Sequence, residues 1–284
     1  MSQDPLQLIS VERWQEIQSA LIADWPRSLP GYNVLETQIR WKKEGIDYGI
    51  KVYCPFGDVR NGFVAINEKT SSYDIIIQCP KDDTKTLEEA LRTTKNIDWT
   101  KDLLKLPFSA KNVVSCVRPV IEDKGYVMEL TPNDVMFTFI IEKGSPLFEN
   151  VSLPPGLSFG LLTSDHVTLI DHYWPHHYAT SSFYFQLLVD SKSGYGLFKN
   201  GELVTWMLIG ECGNLTHLYT MEGHRKNGYA ELIVKLISNE ILKDHTRDVF
   251  AFCVQKNENA RKLYEKIGFK RSVDVFWPDV SKIS

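Results

Sequence analysis

Between Thr220 and Ala230 the chain reads T-M-E-G-H-R-K-N-G-Y-A, and this segment joins two incompatible periodicities. Ahead of it Leu215, Leu218, Tyr219 and Met221 form a short apolar run suited to a buried strand. Behind it Ala230, Leu232, Ile233, Leu236, Ile237 and Ile241 recur at helical spacing. The spacing predicts a strand that empties into a helix across residues 224–229. A helix N-terminus turns unpaired N–H groups and the positive end of its dipole outward, so a phosphate seated there gains several charge-assisted hydrogen bonds. Arg225 and Lys226 add mobile positive charge, and Gly228 lets the backbone come close to a ligand. No G-K-[ST] follows the glycine and the turn holds one glycine in place of a G-x-G-x-x-G, so neither a nucleoside triphosphate nor a dinucleotide is the expected ligand. An ordinary strand-to-helix turn carrying solvated basic residues is the competing reading of this segment alone.

A second block lies downstream. Val249 to Val254 (V-F-A-F-C-V) reads as a strand, and N-E-N-A-R-K-L-Y-E-K-I-G-F follows from Asn257. Ala260, Leu263, Tyr264 and Ile267 share one helical face, with Gly268 placed to end the helix. Together R-K-N-G-Y-A and N-E-N-A-R-K-L-Y-E-K-I-G-F resemble the acyl-CoA-binding half of the GCN5-related N-acetyltransferase (GNAT) superfamily. D-H-V-T-L-I-D-H-Y-W from Asp165, K-N-G-E-L-V-T-W-M-L from Lys199 and L-Y-T-M-E-G-H-R from Leu218 narrow the likeness to the glycine N-acyltransferase-like family, over residues 159–278. Y-D-I-I-I-Q-C-P from Tyr73 extends it more loosely to the first part of the chain.

The resemblance implies an acyl-CoA or acetyl-CoA co-substrate, with no metal. Its diphosphate would sit on Arg225, Lys226, Asn227, Gly228, Tyr229 and Ala230, and its pantetheine arm would run along Leu218, Tyr219, Thr220 and Met221. Tyr264, with Asn257, would face the sulfur. The implied activity is acyl transfer to the amine of a small molecule, glycine or another amino acid among the options, within a ternary complex. A CoA-binding protein without turnover and a peptide or protein N-acetyltransferase are the alternatives.

Direct transfer needs a base for the amine, a donor for the oxyanion and a proton for the leaving thiolate. Tyr264 is the candidate acid, because a phenol stays protonated at neutral pH. The family carries its glutamate two positions before the arginine of the turn, where this chain has Gly223. Glu222 is displaced by one residue, which in a strand points it to the opposite face, so it serves only if the backbone leaves strand geometry after Met221. His217 is the alternative base. His172 and His176 have the i, i+4 spacing of a helical metal pair, but Pro175 between them breaks that helix. Residues 173–178 are read as lining the acceptor side.

The 284 residues suffice for two small domains, and 43% hydrophobic residues fill a core in each. The expected boundary is the connector E-N-V-S-L-P-P-G at residues 149–156, giving domains at 1–150 and 151–284. The expected class is α+β, a mixed and mostly antiparallel sheet flanked by helices. The first part has a similar helix-then-strands rhythm, consistent with a degenerate copy of that fold. There a helix is expected from Ser10, carrying Val11, Trp14, Ile17, Leu21 and Ile22 on one face until Trp25-Pro26, and strands include residues 113–117. A net charge of −4 supplies no basic field for nucleic acid, and no apolar run reaches the roughly 20 residues of a membrane span. Five scattered cysteines suit a reducing compartment. Asp4, Glu12 and Glu16 against Arg13 argue against a mitochondrial transit peptide, so the expectation is a soluble cytoplasmic protein, with the mitochondrion, where the family's best-known mammalian members work, as the alternative.

Overall fold

The computed structural model describes residues 3–69, 72–243 and 245–283. The first compact unit begins with β1 (Leu6–Leu8), α1 (Trp14–Leu21) and α2 (Leu29–Lys43). It continues with β2 (Lys51–Pro55), β3 (Phe63–Glu68), β4 (Tyr73–Gln78), α3 (Lys85–Thr93), β5 (Leu103–Lys105), α4 (Lys111–Asp123) and β6 (Tyr126–Glu129). Val64 and Ile66 of β3 and Ile75 and Ile77 of β4 meet Leu87 and Leu91 of α3 and Val113, Val117, Val120 and Ile121 of α4 in one buried cluster. Burial of each such side chain contributes about 1.5–3 kcal/mol.

Three expectations need correction here. Residues 113–117 lie inside α4, because Val113, Val117, Val120 and Ile121 fall on one helical face and their burial outweighs the strand preference of β-branched residues. Helix α2 has no counterpart in the sequence reading. Its inner face includes the buried polar residues Asn33, Thr37 and Gln38, which erase the apolar period, and Gly31, where a Cβ would stand 2.5 Å from Cγ of Gln78. Ser10 makes no side-chain cap; a 3₁₀ turn at Val11–Arg13 leads into α1, which buries Trp14, Ile17 and Leu21 while Ile22 is exposed.

The second unit uses β7 (Val135–Ile141), β8 (Leu157–Leu161), α5 (Val167–Tyr173), α6 (Ser181–Asp190), β9 (Gly194–Lys199), β10 (Glu202–Ile209) and β11 (Leu215–Thr220). It is completed by α7 (Tyr229–Leu242), β12 (Val249–Val254), α8 (Glu258–Lys266) and β13 (Lys270–Phe276), after which β14 (Asp279–Lys282) ends the fold. Helix α7 lies across β9, β10 and β11 and buries Ile233, Val234, Ile237 and Ile241. Strands β8 to β11 pair antiparallel, whereas β12 runs parallel to β11. The architecture is therefore α+β, with two mixed sheets flanked by helices.

From β1 to β6 and again from β8 to β13 the chain repeats one order: strand, two helices, three strands, helix, strand, helix, strand. The first sheet has the order β1-β2-β3-β4-β5-β14-β6 and the second, read from the same end, β8-β9-β10-β11-β12-β7-β13. Each sheet is thus completed by the strand that follows the other half of the sequence. By packing, the units divide at Phe137/Thr138, and Val254–Lys256 and the stretch from Val273 onward belong with the first. The proline-rich stretch 149–156 forms no regular element and links β7 to β8 within the second unit.

Val280 of β14 is fully buried between β5 and β6. Val280→Asp should destabilise the first unit by about 3 kcal/mol or more, since an unpaired carboxylate enters its core. Hydrogen exchange should show lost protection in β5 and β6 despite their distance in sequence. Unchanged protection there would contradict the exchanged-strand topology.

Candidate functional site

The strand-to-helix segment takes an irregular path. After Met221 (φ −53°, ψ 140°) the chain makes a 3₁₀ turn at Glu222–His224, extends at Arg225 (φ −66°, ψ 161°) and turns left-handed at Lys226 (φ 64°) and Gly228 (φ 77°). Gly228 caps α7 without a side chain, and a Cβ there would meet nothing within 4 Å. Glycine is therefore required by its dihedral, not by crowding, and the space before the helix is open. The Asn227 amide holds the turn from within, donating to the carbonyls of His224 at 3.0 Å and Arg225 at 3.3 Å. No side chain caps α7, so its first N–H groups face that space.

The corresponding turn of the first unit, between β4 and α3, is built differently. Its residues are Cys79, Pro80, Lys81, Asp82, Asp83 and Thr84, and Asp83 Oδ1 accepts the N–H of Lys85 at 3.1 Å. A carboxylate already stands at that helix start, so an added anion meets like charge.

Around the second-unit turn the side chains are half-exposed or exposed. The Arg225 guanidinium lies 5.4 Å from the Tyr219 ring centroid, and it donates to the Thr220 carbonyl at 3.2 Å and the Tyr219 hydroxyl at 3.3 Å. Glu222 does leave strand geometry, but its side chain is 80% exposed and stands 3.5 Å from the Arg225 guanidinium. Glu231, in the first turn of α7, is held by Lys235 and Lys266, both at 2.6 Å, and their hydrogen bonds lower its carboxyl below the usual range. Tyr229 and Ala230 are half-buried at the helix start, and Lys226 and Asn227 are exposed.

The strand before the turn carries an extra residue. Trp206 pairs with Tyr219 and Leu208 with Thr216, so one residue of β10, Met207, opposes two of β11, His217 and Leu218. The left-handed residue within that stretch is His217 (φ 54°), and the parallel pairing with β12 is registered ahead of it at Leu215↔Ala251. Such a bulge re-aims side chains. The His217 ring packs edge-on against Phe185 at 5.0 Å, Trp174 at 5.3 Å and Tyr184 at 5.9 Å. Burial, with His176 adding to it, pushes its imidazole down to about 4, so it is neutral at neutral pH. Tyr219 stacks on Trp206 at 4.9 Å and lies 4.9 Å from Tyr173, while Leu218, Thr220 and Met221 are half-buried.

Helix α5 stops at Tyr173 because Trp174 is extended (φ −79°, ψ 119°) ahead of Pro175. His172 and His176 consequently do not share a helix. Two groups absent from the sequence reading join this face: Tyr184 of α6 donates its hydroxyl to a Glu211 carboxylate in the β10–β11 turn. Glu211 gave no signal of its own, being one acid among many in a short turn.

Tyr264 occupies the inner side of α8, buried and stacked on Phe139 at 5.6 Å with Phe269 at 5.2 Å. Burial raises its phenol above the ordinary value, so it keeps its proton. Asn257 is exposed and caps α8, its Oδ1 accepting the N–H of Ala260 at 3.1 Å.

The FR47-like protein family model matches residues 194–277. Among solved structures, a Drosophila protein aligns with a TM-score of 0.85 at 18% identity, over 99% of this chain and 100% of that one. A tandem GNAT protein from the clavulanic acid biosynthesis pathway gives 0.58 at 12%, over 98% of both chains. A GCN5-related N-acetyltransferase from Sphaerobacter thermophilus gives 0.54 at 11%, over 98% of this chain and 95% of that one. At these identities the likeness is one of fold: two GNAT-like units in tandem. Comparison with curated protein sequences gives no match. Among the described residues no helix is long and apolar enough to cross a membrane.

The half-buried imidazole, packed among aromatic rings, makes stability depend on pH. Its folded value of about 4 lies below the ordinary 6.5, so the unfolded chain takes up the proton first as pH falls. The stabilisation is complete above about 6.5 and is lost as pH drops through 4. Wild-type Tm should therefore fall more steeply over this window than that of His217→Asn, a substitution that tolerates the left-handed backbone. Parallel Tm curves would contradict the lowering of the His217 imidazole by its surroundings.

Proposed function

We propose that the second unit is an acyl-CoA-dependent N-acyltransferase that modifies the amine of a small molecule by direct transfer. The observation that carries this reading is that one strand, β11, holds a bulge at His217 and then delivers the chain to an uncapped, cation-flanked helix N-terminus. The CoA diphosphate fits the N–H groups at the start of α7 with Arg225 and Lys226 beside it. Its pantetheine arm then follows Leu218 to Met221, and roughly 10 Å of strand brings the thioester to the bulge.

There the amine nitrogen forms a bond to the thioester carbonyl carbon, and the carbonyl oxygen takes the electron pair. A backbone N–H that the bulge releases from the ladder is suited to this oxyanion. His217, neutral at working pH, takes the proton from nitrogen as the C–N bond forms, when that nitrogen becomes far more acidic than a free ammonium. The C–S bond then breaks, and the CoA sulfur leaves as a thiolate that receives the Tyr264 proton. Glu222, extended to solvent beside Arg225, tunes charge at the phosphate end and is not assigned as base. Asn257 supports this arrangement by capping the helix that carries Tyr264. The five buried thiols suit a reducing compartment such as the cytoplasm.

The closer likeness to glycine N-acyltransferases belongs to this proposal and rests on the motifs around Asp165, Lys199 and Leu218. Release of CoA thiol on addition of an amine tests it, and CoA binding without release for any acceptor would favour a binding protein.

Gly228→Val should weaken CoA binding at least tenfold, about 1.4 kcal/mol, by forcing a branched side chain into a left-handed cap and before the helix start. Unchanged calorimetric affinity in the folded variant would remove the diphosphate from this turn. Tyr264→Phe preserves the stack on Phe139, so kcat should fall roughly tenfold to a hundredfold while CoA affinity holds. A wild-type rate at all pH values would leave Tyr264 as a packing residue only.

A further inference from the structure

The acceptor end of the face has a composition of its own. His217 is bordered by Trp174, Tyr184 and Phe185, and Trp174 also packs against Tyr178 at 5.9 Å. Apart from the buried Phe185, these rings are half-buried, so they keep surface that a ligand can cover. Tyr184 packs against the His217 ring and donates its hydroxyl to Glu211, so one phenol links the imidazole to a carboxylate. The Glu211 carboxylate accepts this hydroxyl, a neutral donor that leaves its negative charge uncompensated. The cations of the site, Arg225 and Lys226, stand at the other end of β11, beyond Tyr219.

Building on the transferase reading, we infer that the acceptor is an aralkylamine that carries no carboxylate: Glu211 draws in its ammonium group and the Trp174, Tyr178 and Tyr184 rings hold its aromatic body. A half-buried carboxylate among aromatic rings favours a cation strongly and places it by charge-assisted hydrogen bonds. A flat apolar body gains ring contacts that a short acceptor such as glycine does not make. A free amino acid brings a second carboxylate toward Glu211, on a face whose other titratable groups include the His217 and His176 imidazoles, and like charge is an effective discriminator. The bound ammonium lies between Glu211 and His217, where loss of its proton leaves the nitrogen lone pair directed to the thioester.

The test is calorimetric titration of the whole protein, with and without saturating CoA, using 2-phenylethylamine, L-phenylalanine and glycine. Phenylethylamine and phenylalanine share a ring and an amine and differ by one carboxylate. The expected result is at least tenfold tighter binding of phenylethylamine than of phenylalanine or glycine. Glu211→Gln should weaken phenylethylamine at least tenfold and leave CoA affinity unchanged. Equal or tighter binding of either amino acid, or an unchanged phenylethylamine affinity in Glu211→Gln, would overturn the inference. Failure of the transferase reading shows itself separately, as absent CoA binding or as no thiol release from acetyl-CoA with the amine bound.

Discussion

The extra residue in β11 is the constraint on which the candidate site depends. A left-handed histidine inside a strand is disfavoured by about 1–2 kcal/mol, and ring contacts from Trp174, Tyr184 and Phe185 hold it there. Because β11 gains one residue on β10, the positions after the bulge change face relative to those before it. Tyr219 then stacks on Trp206 and Tyr173, the Thr220 carbonyl receives Arg225, and Met221 releases the chain into the turn. An unbulged β11 would turn His217 or Tyr219 to the other side and separate the aromatic face from the helix start.

The two units share an order of elements but not a turn chemistry. In the second, a side-chain-free cap leaves the helix start open to an anion. In the first, Asp83 fills that position and Asp82 is paired with Arg27 at 2.6 Å. The same scaffold is thus ready for an anion in one copy and internally satisfied in the other. The strand order places β7, which follows β6 in sequence, in the second sheet and β14, which follows β13, in the first.

Much of this was legible in the chain because the signals are local. The R-K-N-G-Y-A turn, the β12–α8 block and the cap at Asn257 rest on dihedral and capping rules that act within a few residues. Four features were not legible for the opposite reason. Helix α2 buries Asn33, Thr37 and Gln38 as it packs against α1 and β4, and residues 113–117 are helical through packing of Val113 and Val117 in the core of the first unit. The bulge at His217 and the approach of Tyr184 to Glu211 arise only when β10, β11 and α6 assemble. The tandem repeat itself survives as topology, since strand pairing and layer packing tolerate the loss of residue identity.

A crystal structure of the protein with bound CoA would show whether one bulged strand and the helix start beyond it hold acyl-CoA. The diphosphate is expected on the first N–H groups of α7 beside Arg225 and Lys226, the pantetheine along β11 and the sulfur between His217 and Tyr264. A diphosphate bound elsewhere, with β11 unoccupied and Arg225 still resting on Tyr219, would contradict this placement.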